Sequence, residues 1–174
     1  MAAQSNMVMF AQEDKTFLFR TVGIMIHDGK VLLHRASTDD FWSLPGGRVE
    51  FLERAETAIV REMQEELEVD VNVDRLVWVV ENFFEMHATA YHELSLFFLL
   101  QLPKTSPILQ ETCDFYGKEE GSDGKPLTLI FRWFPFHYLD MLTLYPSFLK
   151  KGLRSLPSRT EHIAHIGNGN VAVA

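Results

Sequence analysis

Apolar and polar residues along the chain fall into two rhythms. Residues 17–26 (FLFRTVGIMI), 75–84 (RLVWVVENFF), 93–102 (ELSLFFLLQL) and 127–134 (LTLIFRWF) are short, apolar and rich in β-branched and aromatic side chains, so each reads as a strand. The third is almost continuously apolar, the pattern of a strand buried on both faces. His27-Asp28-Gly29-Lys30 follows the first, and Asp-Gly tolerates the positive φ of a two-residue hairpin turn, so residues 31–34 form the returning strand. Residues 37–41 are a polar loop, 42–44 a short extended piece, and Pro45-Gly46-Gly47 a breaker. The second rhythm starts at residue 54. From there to 67 the chain has no Gly or Pro, and Ala55, Ala58, Ile59, Met63 and Leu67 recur at steps of three and four, which predicts a helix with one apolar face. Residues 103–126 read as a long acidic loop, and 138–142 and 146–153 as short helices. Strands interleaved with helices predict an α/β fold with a central mixed sheet.

At 174 residues, 47% of them hydrophobic, the chain suits one globular domain and is not disordered throughout. The expected divisions are a polar lead-in at 1–16, a domain at 17–155 and a tail at 156–174 that is frayed from Gly167, with no internal repeat. The 24 acidic and 16 basic residues leave a net charge of −8. Such a chain lacks the broad basic field that nucleic acid or anionic lipid requires, so neither is an expected partner. The apolar run at 94–100 is too short to span a bilayer, and the first fifteen residues have no basic n-region of a signal peptide. The one cysteine, Cys113, forms no internal disulfide, which fits a reducing compartment. A cytoplasmic protein is expected.

The densest chemical signal is acidic, with seven glutamates from Glu50 to Glu68. On a helix Glu62, Glu65 and Glu66 stand at i, i+3 and i+4, three carboxylates on one side. That spacing destabilises an isolated helix by roughly 0.2–0.5 kcal/mol per pair. It becomes favourable around a hard cation, and oxygen-only ligation suits Mg²⁺ or Mn²⁺, which bind substrate phosphates as well. On clustering alone, a solvated acidic face with Arg61 as counter-charge is an equal reading.

The spacing separates the two. Gly47-x5-Glu53-x7-Arg61-Glu62-Met63-x-Glu65-Glu66-x-Glu68-Val69 resembles the Nudix box, G-x5-E-x7-R-E-U-x-E-E-x-G-U with U apolar, at eight of nine specified positions. Six exact matches of Gly, Arg and Glu arise by chance on the order of once in ten million windows. The approach LPGGRVE and, loosely, residues 17–155 carry the resemblance further. It implies a Nudix (MutT-like) fold, an α/β/α sandwich with a loop–helix–loop metal site. The implied activity is pyrophosphohydrolase, acting on phosphoanhydride bonds of a nucleoside diphosphate linked to another moiety. Carried over by position, Glu62 and Glu66 are the main ligands of Mg²⁺ or Mn²⁺, Glu65 contributes directly or through water, and the Gly46 carbonyl completes the set. Glu53 and Arg61 form a pair that orients the ligand helix, with Glu53 an occasional outer ligand, and Glu62 is a candidate base, although in this family the base can lie outside the box. Glu68 departs from the pattern, where Gly ends the helix in a left-handed conformation.

Outside the box, Arg35 falls where related enzymes place a phosphate-binding arginine. Trp42 either lines the nucleotide pocket or packs under the Pro-Gly-Gly turn, and Glu93, next to His92, is a candidate for the pocket wall. His34 reads as structural. Glu119 and Glu120 in the 103–126 loop are candidates for an extra ligand or base. The expectation is a metal-dependent hydrolase of a small nucleotide, nucleotide sugar or nucleoside triphosphate, monomeric or homodimeric. The alternative is a non-catalytic Nudix-fold module that senses a nucleotide or contacts a protein. Such modules usually lose box carboxylates, and here all four remain. An RNA-end pyrophosphohydrolase is disfavoured by the acidic balance.

Overall fold

The structure, a computed structural model, describes residues 6–120, 126–167 and 173. Nine strands among these residues form one mixed sheet: β1 (Met9–Gln12), β2 (Lys15–His27), β3 (Lys30–Ala36), β4 (Gly46–Arg48), β5 (Asn72–Met86), β6 (Thr89–Gln101), β7 (Phe115–Glu120), β8 (Pro126–Pro135) and β9 (Glu161–Ile166). Their order is β7-β8-β3-β2-β6-β5-β9, with β1 and β4 also paired to β2. The pairs β2–β6 and β5–β9 are parallel and the rest antiparallel. The predicted hairpin forms at Asp28 (φ 45°) and Gly29 (φ 70°). β2 and β3 pair only at Ile26↔Val31 and His27↔Lys30, so the two splay apart and open the sheet between them.

Helix α1 (Ala55–Leu67) lies on one face, where Ile59 and Met63 bury against Met25, Phe98 and Phe131. The opposite face is covered by the 3-10 segment Phe136–Met141 and by α2 (Leu149–Gly152). There Leu139, Leu149 and Leu153 bury against Ile24, Trp78 and Phe97. Each fully buried side chain of this size contributes roughly 1.5–3 kcal/mol, so the two clusters hold both helical layers to the sheet. This is the α/β/α sandwich of the sequence reading. No helix of the described residues is long and apolar enough to cross a membrane.

Four local expectations are corrected. The polar lead-in is partly ordered, because Met9 to Gln12 zip onto β2 and Phe10 stacks on Phe17 at 4.9 Å. The 103–126 loop contains a 3-10 turn, Pro107–Gln110, held by Trp133 Nε1 donating to the Ile108 carbonyl at 2.8 Å, and then β7. The charges of β7 hid its pattern, in which Phe115 packs and Gly117 lies against the backbone of α1. Part of the 156–174 tail is β9, an edge strand whose His and Glu residues kept its alternation from reading as apolar. Apart from Gly167 and Val173, the segment expected to fray lies outside the described residues. Finally, Gly46-Gly47 does not break the chain but forms β4 against Thr21 and Val22. A Cβ on Gly46 would sit 2.2 Å from the Thr21 carbonyl, so only glycine allows this approach.

Candidate functional site

The loop from β4 into α1 sets the site. Thr21 Oγ1 on β2 donates to the Ala55 carbonyl at 2.9 Å and ties the helix start to the sheet. Gly47 faces the helix, and a Cβ there would fall 2.1 Å from the Glu62 carboxyl carbon. The second glycine of the pair thus makes room for a carboxylate. At the far end Glu68 takes the left-handed conformation (φ 56°, ψ 34°), with its N–H on the Gln64 carbonyl and that of Val69 on Met63. The glycine geometry of the box is kept by a residue that is strained in it.

Arg61 organises the outer half of the site. Its Nε and Nη2 grip the two oxygens of Glu53 at 2.9 and 3.0 Å, Nη1 reaches Glu62 and Glu65 at 2.9 and 3.0 Å, and Nη2 also donates to the Arg48 carbonyl at 3.2 Å. Glu53 Oε2 accepts the Glu50 N–H at 3.0 Å as well. The Arg61 hydrogen bond holds the Glu53 carboxyl below its ordinary range. A guanidinium with this many satisfied donors is a structural clamp.

The inner half is different. Glu66 is 4% exposed, and neither of its carboxyl oxygens has a hydrogen-bond partner. Burial pushes its pKa well up, helped by the charges of Glu119 and Glu62. Glu62, 8% exposed, is also raised by burial, against the opposing pull of Arg61. His34 lies beside Glu66, Nδ1 to Oε2 at 3.9 Å, and is itself buried with Nδ1 unpartnered. Burial, and then the charge of Arg20, lower its pKa to about 3. A neutral imidazole and an unpaired carboxylate offer each other no ion pair.

These donors fit a hard divalent cation, which would satisfy the orphaned oxygens and favour the ionised carboxylates that burial resists. Among the described residues, no three His, Cys, Asp or Glu side chains converge on one point as they stand. Arg61 Nη1 is the reason for two of them, because it draws Glu62 and the exposed Glu65 towards itself.

A cleft runs past this centre, lined by Arg20, Arg35, Arg48 and Arg61, by Gly46, Gly47, Glu62, Glu65 and Glu119, and by apolar residues including Met9, Leu18, Met86 and Tyr91. Arg35 is on the wall. Trp42 is not, and packs edge-on against Phe134 at 4.8 Å with the Arg35 guanidinium over its ring. Glu93 does not line the cleft either. It is buried under Arg20, since strand alternation turns it towards the sheet floor. Glu119 is brought in by β7, because Gly117 has no side chain to hold that strand off the Glu66 backbone. The Glu120 side chain lies outside the described residues. Two residues of the site were missed from sequence. His34 was read as structural, and Arg20, the one charge within residues 17–26, was the overlooked signal.

The NUDIX domain pattern matches residues 18–156, most of the chain. The chain belongs to the NUDIX domain family. Over 61 residues it is 39% identical to a MutT-like protein of Streptomyces ambofaciens, a match spanning 34% of this chain and 40% of that one. A NUDIX hydrolase structure from Nitrosomonas europaea superposes with a TM-score of 0.55 at 17% identity, covering 86% of this chain and 78% of the other. A UDP-X diphosphatase gives 0.53 at 19% identity, covering 84% and 66%. At these identities the structural likeness is one of NUDIX fold.

Proposed function

We propose that this NUDIX chain hydrolyses a pyrophosphate bond in a small nucleoside diphosphate linked to another moiety, and that it needs Mg²⁺ or Mn²⁺ to do so. The observation that carries the reading is Glu66, buried with both oxygens unpartnered beside Glu62, next to a cleft that also holds Arg35. Glu62, Glu65, Glu66 and the Gly46 carbonyl would hold the cation, with Glu119 as a further ligand or base. When bound, the ion neutralises the diphosphate and lowers the pKa of water. Arg35 orients the phosphates from the wall, and Glu62 takes the proton of the attacking water. Arg61 and Glu53 keep the ligand helix in register. The single exposed cysteine, Cys113, goes with a cytoplasmic setting.

The test is product release from a panel of ADP-ribose, sugar nucleotides, dinucleoside polyphosphates and nucleoside triphosphates, with Mg²⁺, Mn²⁺ or EDTA. Cation-dependent turnover of one class, lost in Glu66→Gln, is the expected result. Turnover that persists in EDTA or in Glu66→Gln overturns the assignment.

A further inference from the structure

Arg20 differs from the other cleft arginines in what stands behind it. Its Nη2 donates to the Gly46 carbonyl at 3.0 Å, and Nη1 lies 3.7 Å from Glu93 Oε2. Glu93 is fixed in turn, its Oε1 accepting from Ser95 Oγ at 2.9 Å and from Asn82 Nδ2 at 3.4 Å. Asn82 Oδ1 meets His165 Nδ1 at 2.8 Å, and His165 Nε2 meets Ser147 Oγ at 3.0 Å. Burial keeps His165 neutral, so Nδ1–H donates to Asn82 while Nε2 accepts from Ser147. A polar row thus crosses β2, β6, β5 and β9, and it ends on a carbonyl of the candidate cation site.

A guanidinium hydrogen-bonded to a carbonyl oxygen and a divalent ion bound to that same oxygen would stand close together and repel strongly in a partly desolvated site. We propose that Arg20 is an internal competitor of the cation: anchored by Glu93, it holds the Gly46 carbonyl until the ion takes it, and then turns its freed donors to the substrate's diphosphate. Glu93 acts through Arg20 as a positioning residue, because it keeps the displaced guanidinium on the cleft floor. The fork of an arginine matches phosphate oxygens two at a time, so the charge that hinders the ion helps to hold the substrate. The inference rests on the cation reading of the preceding subsection.

The experiment is Mn²⁺ titration of the full chain, read from the free-ion electron paramagnetic resonance signal, in the wild type, Arg20→Gln, Arg20→Lys and Glu66→Gln. Arg20→Gln is expected to bind Mn²⁺ on the order of tenfold more tightly. Its affinity for a methylene-bridged nucleoside diphosphate should fall by a similar factor. A damaged site only loses cation affinity, so a gain is not what a merely structural residue would give. Arg20→Lys, whose single amine cannot bridge Gly46 and Glu93, should also bind Mn²⁺ more tightly and carries the test if Arg20→Gln does not fold. Affinity unchanged or weakened in a folded Arg20 variant, with binding still dependent on Glu66, overturns this proposal alone. Equal Mn²⁺ binding in wild type and Glu66→Gln removes the cation site and this proposal with it.

Discussion

The two halves of the carboxylate face of α1 obey opposite rules. Around Arg61 each charge has a partner: Glu53 is gripped at both oxygens, and Glu62 and Glu65 share a third prong. One turn further on, Glu66 is more deeply buried and has none, and its neighbour His34 is held neutral. A buried unpaired carboxylate destabilises a fold, whereas a satisfied clamp stabilises it. The Glu53–Arg61 pair is thus satisfied within the fold, Glu66 holds donors that the fold leaves unsatisfied, and Glu62 and Glu65 stand between the two.

The largest effect should come from removing the unpaired charge. Glu66→Gln is expected to lower cation-dependent turnover at least about 100-fold, by analogy with the loss when groups supporting a metal site are removed. Without added cation the same variant should be as stable as the wild type or up to about 2 kcal/mol more stable, the gain growing with pH as ionisation of the buried carboxyl becomes more costly to resist. Mg²⁺ should raise the melting temperature of the wild type and not that of the variant. Melting curves with and without Mg²⁺ check this, and a cation-free variant melting well below the wild type would erase the contrast between the two halves.

The clamp should respond in the reverse sense. Glu53→Gln takes a charge from Arg61 and weakens a two-pronged contact, so a stability loss of about 1–3 kcal/mol is expected from urea unfolding without cation. Turnover should fall less than in Glu66→Gln, because none of the main candidate cation ligands is lost. If turnover in Glu53→Gln fell as far as in Glu66→Gln, the clamp could not be assigned to architecture alone.

His34 offers a pH test of the inner half. Its folded pKa, about 3, lies below the unfolded value of 6.5. The stability it contributes is thus present above pH 6.5 and lost as pH falls towards 3, by about 1.4 kcal/mol per unit. Glu66 has the opposite sign: its raised pKa favours the fold below pH 4.5 and ceases to do so as pH rises through the raised value. Glu53 and Asp114, whose pKa values are lowered by Arg61 and Arg132, matter only below their ordinary range. Between pH 6.5 and 4.5 the loss of stability on acidification comes from His34 and, with a smaller shift, from His165, so His34→Gln should flatten urea midpoints there and leave only a residual slope. An equally steep fall in the variant would place the acid sensitivity elsewhere.

The same contrast explains what could be read from sequence. The strands at 17–26, 75–84, 93–102 and 127–134, the Asp-Gly hairpin and α1 follow from local pattern, because burial imposes periods of two and 3.6 on their residues. The box residues followed from spacing on a single helix. Arg20, His34 and Gly117 did not, since they reach the site from three different strands and their roles come from register across the sheet. β7 and β9 were hidden for a related reason: edge strands carry Lys, Glu and His on exposed positions, and that polarity masks their alternation.

The smallest effect sits where sequence and structure disagree most locally. The box calls for glycine at position 68, and Glu68 adopts the glycine conformation anyway, at φ 56°. A non-glycine residue there is strained by roughly 1–2 kcal/mol. Glycine relieves that strain but gives about 0.4–1 kcal/mol back through the greater freedom of the unfolded chain. Glu68→Gly should thus stabilise the protein by about 0.5–1 kcal/mol, a rise of roughly 1–4 °C in melting temperature. The carbonyls of Met63 and Gln64 stay capped by backbone N–H groups, so the ligand helix keeps its end and turnover should not change. A fall in melting temperature would mean that the Glu68 side chain contributes more to the fold than its backbone strain removes.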